Sequence, residues 1–182
     1  MVQEYDFSPP VAAPAATSGL TVTLPGCVTV GAPGAPLLPV KPVRLLLPPG
    51  AEFSSVTVLR NERTRLADLT RPPAPGQRQY PLSWEGPVRD DLPRPEIYLG
   101  QGIFPVDPSS PARVYRFRGF PVVALELHPV EYDFGEQAWY YYRNVTVAVD
   151  LRPALSESAD PFFANQPEDR EIVAAQVDNP EL

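Results

Sequence analysis

The sequence holds one cysteine, one histidine, one methionine and, among 15 basic residues, a single lysine, Lys41. One cysteine, Cys27, excludes an intramolecular disulfide and any multi-cysteine metal site. Basic charge is also scarce: the net charge is −7 and the sequence pI about 4.7. No sequence-wide positive field exists to hold phosphate backbones or anionic lipid, so neither nucleic acid nor membrane is expected as a partner. No run approaches the roughly 18 to 20 apolar residues that cross a bilayer. The opening MVQEYDFSPP lacks the basic and apolar regions of a signal peptide, which leaves export open.

Motifs for chemistry are missing as well. There is no GxSxG or HExxH frame. The charge clusters Arg89–Asp91 and Pro167–Ile172 lack the alternating oxygen spacing of a calcium loop and read as solvated loops. No metal, no cofactor and no catalytic residue is predicted. A Cys27–His128 dyad is the one conceivable nucleophilic pair, but both residues fall in strand bodies with no orienting motif beside them. Cys27 reads as a small buried hydrophobe, and His128 as a surface or edge histidine.

What the chain has in abundance is proline, 26 residues, with 11 glycines. Proline removes a backbone donor and stops helices, so long helices are not expected. The 182 residues suit one domain with an arm or linker at either end. Ser8–Gly19 is Pro/Ala-rich, and residues 1–19 are read as an extended arm. From Leu20 onward, short runs of Val, Leu, Thr and Tyr alternate with Gly, Pro and Asp clusters, the signature of strands. The expected strands are Leu20–Leu24, Cys27–Val30, Pro42–Leu47, Ser54–Arg60, Arg65–Leu69 and Arg113–Gly119. This pattern predicts an all-β antiparallel sandwich or jelly roll over residues 20–152. Residues 153–182, rich in Pro, Asp and Glu, read as a linker that becomes cleavable on activation.

The stretch from Phe120 to Leu151 carries the strongest alternation. Val123, Leu125 and Leu127 share one face; Val145, Val147, Val149 and Leu151 share another. With the YDFGEQ turn between them, the two ribbons are expected to form one long hairpin. If Tyr142 packs inward as well as Trp139, the aromatic run does not keep the valine parity, and a bulge near Arg143 would reconcile them. Tyr140, Tyr141 and Tyr142 could form a sugar-stacking platform, with core or interface packing as the other reading.

Two ordered sets of residues carry a family resemblance. The first is Gly34, Pro36, Leu38, Pro39, the apolar run Val43–Leu47, Pro49, Gly50, Ala51, Val56 and Val58. The second is Arg118, Gly119, Val122, Val123, Pro129, Val130, Tyr132, Tyr142, Val145, Val147 and Val149. Together they resemble the N-terminal propeptide domain of gingipain-type cysteine peptidases over residues 31–182, with a looser match across 70–112.

The resemblance implies a non-catalytic prodomain of a secreted or cell-surface zymogen. Its partner would be a caspase-like cysteine peptidase domain placed C-terminally in the same precursor, which the prodomain keeps latent and helps to fold. The family's catalytic Cys and His belong to that domain, so Cys27 and His128 do not inherit those roles. Latency needs a loop that enters the peptidase cleft, and in arginine- and lysine-cleaving members a basic side chain fills the first pocket. Tyr98–Arg116 is the expected loop, with Arg113 as the inhibitory candidate and Arg94 and Arg89 after it; for a lysine-preferring enzyme only Lys41 could serve. The alternative is an accessory β-sandwich of a cell-surface protein, binding carbohydrate or protein through Trp84, Trp139 or the tyrosines.

Overall fold

The computed structural model describes residues 1–16, 18–67, 69–154 and 167–181. It is built from strands β1 (Val2–Asp6), β2 (Val11–Pro14), β3 (Leu20–Thr23), β4 (Val28–Val30), β5 (Leu38–Leu46) and β6 (Ala51–Arg65). The short helix α1 (Pro95–Tyr98) follows, then β7 (Ile103–Phe104), β8 (Arg113–Phe117), β9 (Phe120–Leu127), β10 (Val130–Asp133), β11 (Ala138–Pro153) and helix α2 (Pro167–Ala174).

Two antiparallel sheets enclose the core. One runs β1-β11-β10-β7 with β6 on the other side of β11; the second runs β4-β5-β9-β8; β2 and β3 form a separate pair. Val43, Leu45, Val123, Leu125 and Leu127 of the second sheet meet Trp139, Val145, Val147 and Val149 of the first in one buried cluster, which Leu20 and Val22 of β3 join. The all-β sandwich is therefore present, and its inward residues are the ones that alternation selects.

The long hairpin expected over Phe120–Leu151 is corrected. β9 pairs with β5 and β8 in the second sheet, and only the short β10 pairs with the start of β11. The chain changes sheets at His128–Pro129, where proline can donate no ladder bond while its carbonyl accepts from Tyr142 N at 2.8 Å. Both apolar faces survive the correction because they face each other across the sandwich rather than side by side.

β6 contains the strand expected at Ser54–Arg60 and pairs with β11 from Arg65↔Tyr140 to Ala51↔Pro153. Of the strand expected at Arg65–Leu69 only Arg65 belongs to β6, and Leu66, Ala67 and Leu69 lie outside any strand. Pairing skips Arg143 and its opposite Glu62, whose φ is 56°, and resumes in unchanged register. The interruption lies between Tyr142 and Val145, which differ in parity yet enter the same core cluster. The register itself shifts between Asp150 and Leu151, not at Arg143.

Both ends of the chain are built into the sandwich. The expected arm is extended, but β1 lies in the main sheet against β11, and the amino terminus donates to Val149 O at 2.9 Å. In the segment expected as a linker, residues 155–166 lie outside the described residues, whereas α2 sets Val173 against Leu46 and Val122. Beyond it, Asp178 and Asn179 act as a surrogate strand along β5. Arg44 N donates to Asp178 Oδ2 at 2.9 Å, Leu46 N to Asn179 Oδ1 at 2.8 Å, and Asn179 Nδ2 to Leu46 O at 3.0 Å. Residues 42, 44 and 46 point their amide positions to the same side, so Pro42 lacks its N–H where β4 has ended and Asp178 has not begun. This explains how β5 runs through Pro42.

Candidate functional site

Of the predicted site residues, Arg89 and Arg94 lie between β6 and β8, Arg113 opens β8 and Lys41 lies in β5, and the structure separates them. Tyr98–Arg116 is not a free loop. Ile103 and Phe104 pair with Asp133 and Tyr132, Ser110 N donates to Glu126 O at 2.8 Å, and His128 N donates to Pro108 O at 2.9 Å. Arg113 is the first residue of β8, opposite Ala124, exposed on a sheet edge rather than at a loop tip. Arg94 is an anchor: its N donates to Gly34 O and its Nε to Pro33 O, each at 2.9 Å. Lys41 is held 3.2 Å from Asp178 Oδ1, with its ammonium over the Tyr5 ring.

Arg89 alone of these candidates sits on a projecting loop, residues 77–91. It makes no hydrogen bond or ion pair within the described residues. Before the loop, residues 72–76 thread between β3 and the turn before β5: Leu20 N donates to Pro72 O, Ala74 N to Leu20 O, Leu37 N to Ala74 O and Gly76 N to Ala35 O. After it, Arg94 returns the chain to Pro33 and Gly34. The base is cross-tied by Gln77 and Asp91. Asp91 N donates to Gln77 Oε1 at 2.8 Å, Gln77 Nε2 to Asp91 O at 3.2 Å and Arg78 N to Asp91 Oδ2 at 2.7 Å.

The tied loop carries Leu82, Trp84 and Val88 into solvent, with Leu92 just beyond its base. Trp84 stacks on Tyr80 with ring centroids 5.3 Å apart and covers Gly86 so closely that a Cβ there would lie 2.6 Å from the indole. A fixed base, three prolines between residues 81 and 93, and several large apolar residues in water describe an exposed, tethered loop rather than a core element. Sequence reading placed Arg89 third, because proline content alone does not distinguish a tethered loop from a projecting one.

The other predicted groups fall into structural roles. Trp139 is fully buried and donates Nε1–H to Arg71 O at 2.9 Å. Tyr140, Tyr141 and Tyr142 are each 8% exposed, which removes the sugar platform. Burial pushes the Cys27 thiol up to about 11, with Lys41 pulling weakly the other way, the reverse of an activated nucleophile. His128 is half-buried and its Nδ1 lies 2.8 Å from Asp107 O. Among the described residues no cluster of His, Cys, Asp and Glu could hold a metal.

Sequence reading missed a buried charge network at one end of the main sheet. Glu131 is 1% exposed; its Oε1 accepts from Arg63 Nε at 2.8 Å and Tyr142 OH at 3.1 Å, and its Oε2 lies 3.1 Å from Arg60 Nη1. The two guanidiniums lie over the rings of Tyr142 and Tyr140, at 4.3 and 3.5 Å from the centroids. The network floors a groove of about 470 Å³ walled by Ile103 and Val106. No sequence signal links these residues, which come from three strands.

No family model and no curated protein matches the chain. Solved structures do. One, describing the zymogenic latency of gingipain K from Porphyromonas gingivalis, superposes with a TM-score of 0.65 at 19% identity, over 84% of this chain and 87% of that one. Another, the complex of Porphyromonas gingivalis RgpB pro- and mature domains, superposes with a TM-score of 0.73 at 14% identity, over 100% of this chain and 92% of that one. At these identities the likeness establishes the fold, and the gingipain resemblance read from the sequence is met at that level: the chain has the fold found in these gingipain zymogen and pro-domain structures.

Proposed function

We propose that this chain is the non-catalytic prodomain of a secreted gingipain-like cysteine peptidase, holding the catalytic domain latent and assisting its folding. The observation that carries the proposal is the loop 77–91, tied at its base and bearing exposed apolar side chains beside an unpaired Arg89. Latency requires a segment that enters a cleft without rearranging, and a pre-tied loop loses little entropy on docking. The matched structures, one of a zymogen and one of a pro-domain with its mature domain, and their near-complete coverage support this assignment. In it Arg89 fills the first specificity pocket, Leu82, Trp84 and Val88 pack on the cleft rim, and Arg94 fixes the loop's exit. Arg113 has no part in the cleft.

The test is a titration of the purified chain against the separately expressed catalytic domain of its precursor, read by hydrolysis of short peptides. Stoichiometric inhibition that Arg89→Ala weakens at least tenfold, and Arg113→Ala leaves intact, is the expected result. Inhibition unaffected by Arg89→Ala would reject the loop assignment. No inhibition of an active peptidase would reject the latency role and favour an accessory binding module, for which the Tyr80–Trp84 pair is the exposed aromatic surface.

A further inference from the structure

The second sheet ends in an open edge that the prodomain reading leaves unused. β8 is the last strand of the β4-β5-β9-β8 order, and among the described residues no strand pairs with its outer side. Arg113, Val114, Tyr115 and Arg116 are all exposed along it. An edge strand of this kind presents a row of unpaired N–H and C=O groups to solvent.

The face beside that edge has a specific chemistry. Arg113 and Arg44 stand on either side of Ala124 in one cross-strand row, and Tyr115 stands opposite Val122 in the next. Directly opposed residues share a face, so the two arginines flank a small side chain, and in the next row the exposed Tyr115 stands beside Val122, which is buried with Leu46 and Val173. A groove of about 360 Å³ lies there, lined by Arg44, Tyr115, Phe117, Val122, Gln176 and Val177. Polar lining comes from Arg44, Tyr115 and Gln176, and Gln176 Oε1 accepts from Arg44 Nη1 at 3.1 Å. Neither Arg44 nor Arg113 has an ion pair among the described residues, and Glu126, the carboxylate on the same face of β9, makes none with either. In a chain of net charge −7, two guanidiniums without ion pairs among the described residues, beside a groove of mixed polar and apolar lining and an open strand edge, form a local site for an anionic, extended ligand.

We infer that β8 binds an extended acidic segment of a partner protein by strand addition, with a carboxylate on Arg113 and Arg44 and an apolar side chain in the Tyr115–Val122–Val177 groove. The register sets the motif. Residues of an added strand that face Arg113 and Tyr115 are two apart, so the segment carries a carboxylate and an apolar residue at positions i and i+2, in either direction. Backbone bonds to β8 supply affinity, and the guanidinium pair selects for acid. The inference stands apart from the latency loop, which lies between β6 and α1.

The probe is the blocked peptide Thr-Glu-Thr-Phe-Thr-Glu-Thr, which presents the motif in both directions, with a control in which lysine replaces each glutamate. The measurement is amide NMR with hydrogen exchange on the full chain. The glutamate peptide is expected to shift and protect β8 amides. Arg113→Gln and Arg44→Gln, each checked for the native spectrum, should weaken it at least tenfold, and Arg152→Gln, at the far end of β11, should not. Equal binding of the lysine peptide, shifts confined to other surfaces, or no binding at millimolar peptide would overturn the inference. Doubled mass in sedimentation with β8 amides already protected would also overturn it, in favour of self-pairing of two copies.

Discussion

Replacing Glu131 by glutamine keeps the shape of the side chain and removes the charge on which the Arg60–Arg63–Tyr142 network closes. The carboxylate is 1% exposed, and the Arg60 and Arg63 side chains are 15% and 38% exposed. Removing one partner of a buried pair costs about 3–5 kcal/mol, because the remaining charge stays desolvated without compensation. Water reaches Arg63, so the lower end applies, about 3 kcal/mol. For a chain of this size that lowers Tm by roughly 6–12 °C. Urea unfolding at pH 7 should report the loss as a lower midpoint with unchanged slope. Arg60→Gln should cost less in the E131Q background than alone, with a coupling of about 1–3 kcal/mol. A loss under about 1 kcal/mol for Glu131→Gln, or fully additive effects of the two changes, would refute the claim that this network is a desolvated, closed unit.

Three further perturbations probe other parts of the molecule. Asn179→Ala strips both bonds from Leu46 and leaves a buried N–H and C=O unmet, at about 2–4 kcal/mol in total; α2 should then become accessible to limited proteolysis, and unchanged resistance would refute the surrogate-strand role. Gly76→Ala would place a Cβ 2.5 Å from Gly31 O and 2.6 Å from Ala32 O, so backbone must move at the root of the loop; a loss of about 1–3 kcal/mol by urea unfolding is expected, and a neutral change would refute the tight threading of residues 72–76. Because burial raises the Cys27 thiol from 9.0 to about 11, the unfolded thiol ionises first as pH rises and the folded one follows, so stability falls between pH 9 and 11 and less so in Cys27→Ser. Iodoacetamide should label folded Cys27 at pH 8 slower than a free thiol by roughly one to two orders of magnitude, and labelling at the free rate would contradict its burial.

The sequence by itself determined the class of fold, because strand alternation is a local property. Val123, Leu125 and Leu127, and again Val145, Val147 and Val149, repeat every second residue, and each set is buried in the structure. Proline abundance ruled out long helices for an equally local reason, the missing backbone donor. Residue order from Gly34 to Val149 carried the gingipain resemblance, since turns and strands leave their residue types in place.

Tertiary structure decided everything that depends on which strand lies beside which. Alternation identifies a strand's buried face but not its sheet, so β9 and β11 read as a hairpin although Pro129 sends the chain across the sandwich between them. Tyr140 to Tyr142 read as a surface platform because what buries them is distant in the chain: Arg63 lies over Tyr140 and Arg60 over Tyr142, both from β6, and Tyr141 joins the core cluster. Arg113, Arg94 and Arg89 look alike in a proline-rich sequence. One ends on a sheet edge, one is bonded to Pro33 and Gly34, and one stands free on a loop whose base is tied by Gln77 and Asp91. Hydrogen bonds between residues distant in sequence make that distinction, and a local pattern of residues does not encode them.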